Sequence, residues 1–79
     1  MTRDQILQDL KDIMATVKPK LDTSAVTEDS SLVRDLGVDS LSMLLISLAI
    51  EMKYGFQFAT QEPFQTVSEV IDYIEKAVN

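Results

Sequence analysis

Residues 41 to 54, LSMLLISLAIEMKY, hold four polar side chains, Ser42, Ser47, Glu51 and Lys53, and are otherwise apolar. Asp39 or Ser40 can cap the start of a helix, and Gly55 stands where a helix commonly ends in glycine. At about 100° per residue, Leu41, Leu44, Leu45, Leu48, Ala49 and Met52 fall on one stripe, while Met43, Ile46, Ile50 and Tyr54 fall on the opposite one. A helix in a small domain normally buries one stripe and wets the other. In a chain of 79 residues, this helix is therefore either central and covered on both sides, or it leaves a partner-docking face that begins beside Ser40.

The remaining segments agree with an all-helical fold. Thr2 and Gln5 are spaced as a capping box, and Ile6, Leu7, Leu10, Ile13, Met14 and Val17 recur at helical spacing until Lys18-Pro19 stops the pattern. Thr66 and Glu69 repeat the capping spacing ahead of a last helix faced by Val67, Val70, Ile71, Ile74 and Val78. Between Lys20 and Arg34 no stripe emerges. The spacing predicts a long loop there, with Leu21, Ala25, Val26, Leu32 and Val33 tucked into the core. FQFATQEPFQ is irregular, with a single turn expected near Glu62 to Phe64. The expected architecture is all-α, a small four-helix bundle of three main helices and one short one. The lengths of the connections leave the first two main helices free to run parallel or antiparallel.

Composition removes most chemistry. The chain has neither Cys nor His, which excludes disulfides, thiolate nucleophiles and zinc-thiolate sites and takes away the commonest general base. The acids of residues 22 to 39 lack the alternating oxygen ligands and central Gly of a calcium loop, so no metal site is expected. Net charge is −6. Residues 1 to 20 carry three Asp against one Arg and three Lys, giving +1, and the other −7 lies in residues 21 to 79. Nucleic acid, which needs clustered cations, is not an expected partner. No apolar run reaches membrane-spanning length and the N-terminus is charged, so the expectation is a cytoplasmic protein with no membrane insertion.

Ser40 then needs a role. By itself an Asp-Ser at a helix start is a cap. Ser40 is not a conventionally activated nucleophile, because there is no His and Lys53 lies more than three helical turns away. Any modification must be made by another enzyme. A phosphate ester at this position would sit at the positive end of the helix dipole, favourable by about 0.3 to 1 kcal/mol.

LGVDSL ahead of one helix and VIDYI inside the last together resemble the acyl carrier proteins, over nearly the whole chain. Leu36, Gly37, Asp39, Ser40 and Leu41 stand in that family's attachment motif, and Phe64, Thr66, Val67 and residues 70 to 74 resemble its second signature. The resemblance implies a four-helix bundle and a covalent 4′-phosphopantetheine arm. A phosphopantetheinyl transferase would attach that arm from coenzyme A to Ser40, with Asp39 as the flanking motif acid. It implies a carrier and not an enzyme, a monomer of one domain over residues 1–79, served by acyl transferases, ketosynthases and related acyl-processing enzymes. It assigns Leu41, Leu44, Leu45, Leu48, Ala49, Met52 and Glu51 to partner recognition. Met43, Ile46, Ile50, Tyr54, Phe58 and Phe64 are assigned to the core and acyl pocket.

The chain departs from the pattern where fatty-acid carriers typically place acids on the recognition helix. Here Ser42 follows the motif leucine, Leu45 and Met52 replace acids, Lys53 lies near the end, and Arg34 precedes Asp35. A dedicated carrier for a specialised acyl or polyketide-type pathway is as compatible with these residues as a general fatty-acid carrier. Peptidyl carriers commonly show a second glycine in the motif. Gly37-Val38-Asp39-Ser40 thus favours an acyl or aminoacyl cargo, D-alanine included. An unmodified helical docking module that uses only the Leu stripe is the reading from a different class. Without linker-like segments at either end, a discrete carrier is expected.

Overall fold

In the computed structural model, which describes residues 1–59 and 63–78, the three periodic segments are helices: α1, Arg3–Val17; α2, Ser40–Tyr54; and α3, Val67–Val78. A short 3-10 turn, Thr23–Ala25, interrupts the first long connection. The only β pairing among the described residues is an isolated bridge between Ser31 and Thr66. Each helix starts where its capping residues dictate. The Thr2 hydroxyl accepts from the Gln5 N–H at 3.2 Å, and the Gln5 side chain returns the bond to the Thr2 N–H at 2.9 Å. Thr66 and Glu69 exchange the same pair of bonds at 3.3 Å each. α2 ends on Gly55, whose φ of +75° is left-handed and whose N–H donates to the Glu51 carbonyl at 2.9 Å.

α1 packs against both other helices. It runs antiparallel to α2: Lys18, just past the C-terminal end of α1, acts on Asp39 at the head of α2, while the Tyr54 hydroxyl at the tail of α2 donates to the Asp9 carboxylate halfway along α1 at 2.5 Å. The core takes Ile6, Leu10 and Met14 from α1, Ile46 and Ile50 from α2, and Val67, Val70, Ile71 and Ile74 from α3. Burying one such side chain contributes roughly 1.5–3 kcal/mol.

The long connection adds Val26, Leu32, Leu36 and Val38 to this core. It departs from expectation at two residues: Ala25 is exposed, and Val33 is 68% exposed. Residues 31 to 37 wind into a helical turn, with Asp35 N–H donating to the Ser31 carbonyl and Gly37 N–H to that of Val33. Leu32 and Leu36, four apart, point inward together, and Val33 turns out. The turn is fastened to the head of α3 by backbone bonds, Leu32 N–H to Gln65, Val67 N–H to Ser30 and Ser68 N–H to Glu28, at 2.9, 3.1 and 2.8 Å. The short turn expected near Glu62 to Phe64 falls partly outside the described residues, since Glu62 is not among them; Pro63 to Gln65 are not helical. The short helical element is instead the one in the first connection, where Asp22 caps it by accepting from the Ser24 N–H.

Candidate functional site

Asp39 and Ser40 meet at the first turn of α2. Asp39 takes the cap, its carboxylate accepting from the Ser42 N–H at 2.7 Å. That backbone donor, together with the Ser42 hydroxyl and the nearby Lys18 charge, holds the Asp39 carboxyl below the usual carboxylate range. Ser40 thereby becomes the first helical residue. It is exposed, and its hydroxyl makes no hydrogen bond among the described residues.

Beside Ser40 opens a cleft of about 590 Å³ lined by Leu32, Val33, Val38, Asp39, Ser40, Met43, Leu44, Ser47, Pro63 and Phe64. Its floor is the row 40, 43, 44 and 47 of α2, which lie above one another at helical spacing. One wall is the helical turn 32–38, and the other is Pro63 with Phe64. Of the six residues expected to form the core and acyl pocket, only Met43 and Phe64 reach this cleft. Ile46 and Ile50 lie too deep, each almost wholly buried in the core. Tyr54 and Phe58 instead join Phe56, Phe64 and Tyr73 in a chain of ring contacts with centroids 4.9–6.4 Å apart. Burial together with the Asp9 bond pushes the Tyr54 phenol above its usual pKa range.

Leu32, Val33, Val38, Leu44, Ser47 and Pro63 also line the cleft, outside the set expected for the acyl pocket. A wheel drawn from Ser40 picks out Leu44 and Ser47 at four and seven residues on. The wall residues carry no comparable signal, because only the tertiary bonds of the 31–38 turn bring them to α2.

The other stripe of α2 is turned to water. Leu41, Leu44, Leu45, Leu48 and Met52 are exposed, from 44% for Leu45 to 85% for Met52, and Ala49 is partly so. Glu51, the acid of the set expected to face partners, is partly buried. Its carboxylate folds back to accept the Phe58 N–H at 2.8 Å, because the chain leaving Gly55 turns toward α2 and needs an acceptor there. No described helix is long and apolar enough to cross a membrane.

A helical scaffold that sets an exposed serine at a helix start, beside an apolar cleft and next to an uncovered apolar face, has the form of a small carrier protein. A family model described as phosphopantetheine attachment site matches residues 8–74. The chain is 35% identical to the acyl carrier proteins of Coprothermobacter proteolyticus and Thermotoga maritima, over 95% of its own length and 93% and 94% of theirs. It is 36% identical to the meromycolate extension acyl carrier protein of Mycolicibacterium smegmatis, over 77% of that protein. The chain belongs to the acyl carrier protein family, whose prosthetic group is a covalently attached 4′-phosphopantetheine. The residues at the head of α2 fit such a group: an exposed hydroxyl with no hydrogen bond among the described residues, at the positive end of a helix, with open apolar space alongside.

Proposed function

We propose that Ser40 is the hydroxyl to which a phosphopantetheinyl transferase attaches the arm of coenzyme A, and that residues 1–79 act as one carrier domain for acyl intermediates of fatty-acid or specialised polyketide-type synthesis. The observation that carries this reading is the division of labour at the head of α2. Because Asp39 satisfies the Ser42 N–H, the Ser40 oxygen is not spent on capping and stands in solvent at the mouth of the cleft. When bound, the arm supplies the thiol that a chain without cysteine lacks. The protein's own residues hold Ser40 at a fixed place, offer Leu32, Val38, Met43 and Phe64 as apolar cover, and present Leu41, Leu45, Leu48 and Met52 to acyl transferases and ketosynthases. Its place of action on this reading is the cytoplasm, as a monomer that visits one enzyme after another.

Intact mass after incubation with coenzyme A, magnesium and a broadly tolerant transferase tests the reading. One phosphopantetheine is expected on the parent and none on Ser40→Ala. A folded parent that resists several transferases would leave the unmodified docking module as the better account.

Within that role, the exposed face favours a dedicated carrier of a specialised pathway. The apolar stripe is not fringed by acids along α2, and Glu51, the one acid within the helix, is bonded to the backbone. Exposed ion pairs contribute only about 0.2–1 kcal/mol, whereas burying a Leu contributes about 1.5–3 kcal/mol. Partner affinity is therefore expected to fall only shallowly with ionic strength when a cognate ketosynthase is titrated, and a steep loss would point back to a general fatty-acid carrier.

A further inference from the structure

The turn that closes α1 sets two lysines beside the head of α2. The Lys18 N–H donates to the Met14 carbonyl at 2.7 Å, and the Leu21 N–H donates back to the Lys18 carbonyl at 3.0 Å. With Val17 and Leu21 packed against the core, residues 17 to 21 are held at both ends. Lys18, Lys20 and Ser42 thereby line one open depression of about 490 Å³, between the end of α1 and the first turn of α2. Ser42 is the residue whose N–H the Asp39 carboxylate accepts, so the depression adjoins that acid, the neighbour of Ser40 in the chain. Among the described residues neither lysine forms an ion pair, whereas Arg3 is committed to three acids and Lys53 to Asp9. Asp22, the acid nearest them in sequence, accepts from the Ser24 N–H instead.

Loading Ser40 places a second anion beside the first. A phosphodiester is ionised at any working pH, and the Asp39 carboxylate cannot swing away without giving up the Ser42 N–H. Two like charges on consecutive residues repel, and the partial positive charge of one helix end is divided between them. We propose that Lys18, backed by Lys20, is the counter-ion of that phosphodiester, and that the two lysines are positioning residues for the root of the arm. The proposal rests on the carrier reading above. Lys18 already acts on Asp39. Its ammonium rides on a flexible four-carbon stem, so it turns from the carboxylate toward the phosphate while its backbone stays fixed at the end of α1. Lys20, more exposed than Lys18, supplies a second positive charge from the same depression. The fold thus holds two cations without a close acid, and loading supplies the anion.

The test compares the apo and holo forms of the whole protein, each verified by intact mass, by their Tm in dilute buffer and in concentrated salt. In the parent, addition of one phosphopantetheine is expected to leave Tm unchanged or to raise it. In Lys18→Gln the same addition should lower Tm by about 2–4 °C in dilute buffer, and by much less in concentrated salt, which screens the repulsion. Lys20→Gln should show the same sign and a smaller size, and it decides if Lys18→Gln does not fold. Lys18→Arg, which keeps the charge, should restore the parent's behaviour. Lys76→Gln, which removes an equal charge from the last turn of α3, should behave as the parent does. An apo-to-holo change that is the same in Lys18→Gln as in the parent overturns the proposal, even if both forms of the variant melt lower, since that loss is merely structural. An equal apo-to-holo loss in Lys76→Gln also overturns it, by assigning the effect to net charge. A parent that gains no phosphopantetheine is a different result and overturns the carrier reading itself.

Discussion

Asp39 and Ser40 are both chemically able to cap the head of α2. Both side chains carry an oxygen able to accept from an orphan N–H, but only Asp39 does so, and the negative charge it brings to the positive helix end strengthens that choice. Its carboxyl titrates below the ordinary value of 3.8 in the folded chain. The stabilisation from the charged cap is therefore fully present above about that pH and is lost as pH falls through the lower, folded-state value. Asp39→Ala is expected to lower Tm at neutral pH, and the gap from the parent should close in strongly acid solution. Asp39→Asn, which retains a capping oxygen, should keep much of the stability and lose this pH dependence. Circular-dichroism melts across the acid range check both; a gap that stays constant with pH would show that the charge contributes nothing.

At the scale of the element, α2 does two things with two sides. Ile46 and Ile50 are sealed in the core, while Leu41, Leu45, Leu48 and Met52 are in water. Ile50→Ala should cost about 2–5 kcal/mol, as large-to-small changes in a packed core do. Leu48→Ser or Met52→Ser should stay within about 0.5 kcal/mol of the parent. Urea unfolding distinguishes the two, and a large loss at Met52 would mean that its side is covered. The two-stripe pattern was legible because helical period and caps are local properties of the chain. Which stripe faces inward is not fixed by that local pattern and was readable only through the family resemblance, since it depends on α1 meeting Ile46 and Ile50. The wall made by residues 32 to 38 was not legible. Leu32 and Leu36 point the same way only once Ser31 accepts bonds from the Asp35 and Leu36 N–H groups, and that turn is held by the distant Gln65. The Glu51 bond was hidden for a related reason: on a wheel Glu51 faces solvent, and the N–H it accepts comes from seven residues on.

At the scale of the molecule, a single cation draws the chain together. The Arg3 guanidinium bonds to Glu28 at 2.6 Å, Asp72 at 2.7 Å, Glu75 at 3.2 Å and the Ser68 hydroxyl at 3.3 Å, joining α1, the first connection and α3. The bonds to Glu28 and Asp72 raise its pKa further above an already high value, so it stays charged at any working pH. Its partners are partly exposed, so salt screens the cluster. Arg3→Gln is expected to lower Tm in dilute buffer, and by less in concentrated salt. Arg3→Lys should recover only part of the loss, because an ammonium cannot spread donors over three carboxylates as a guanidinium does. Melts at two ionic strengths test this; equal losses in both buffers would assign the effect to packing of the Arg stem. In the sequence Arg3 was one charge in a small sum, and nothing local relates it to acids 25, 69 and 72 positions away.

The same cluster has a practical consequence. Residue 3 and residue 75 are pinned together at one pole, and α1, some 22 Å long for its fifteen residues, separates that pole from Lys18 and from Asp39, on which Lys18 acts. A tether fixed at residue 3 or residue 75 would therefore leave the head of α2 facing outward at the far side, like a lamp on a short bracket.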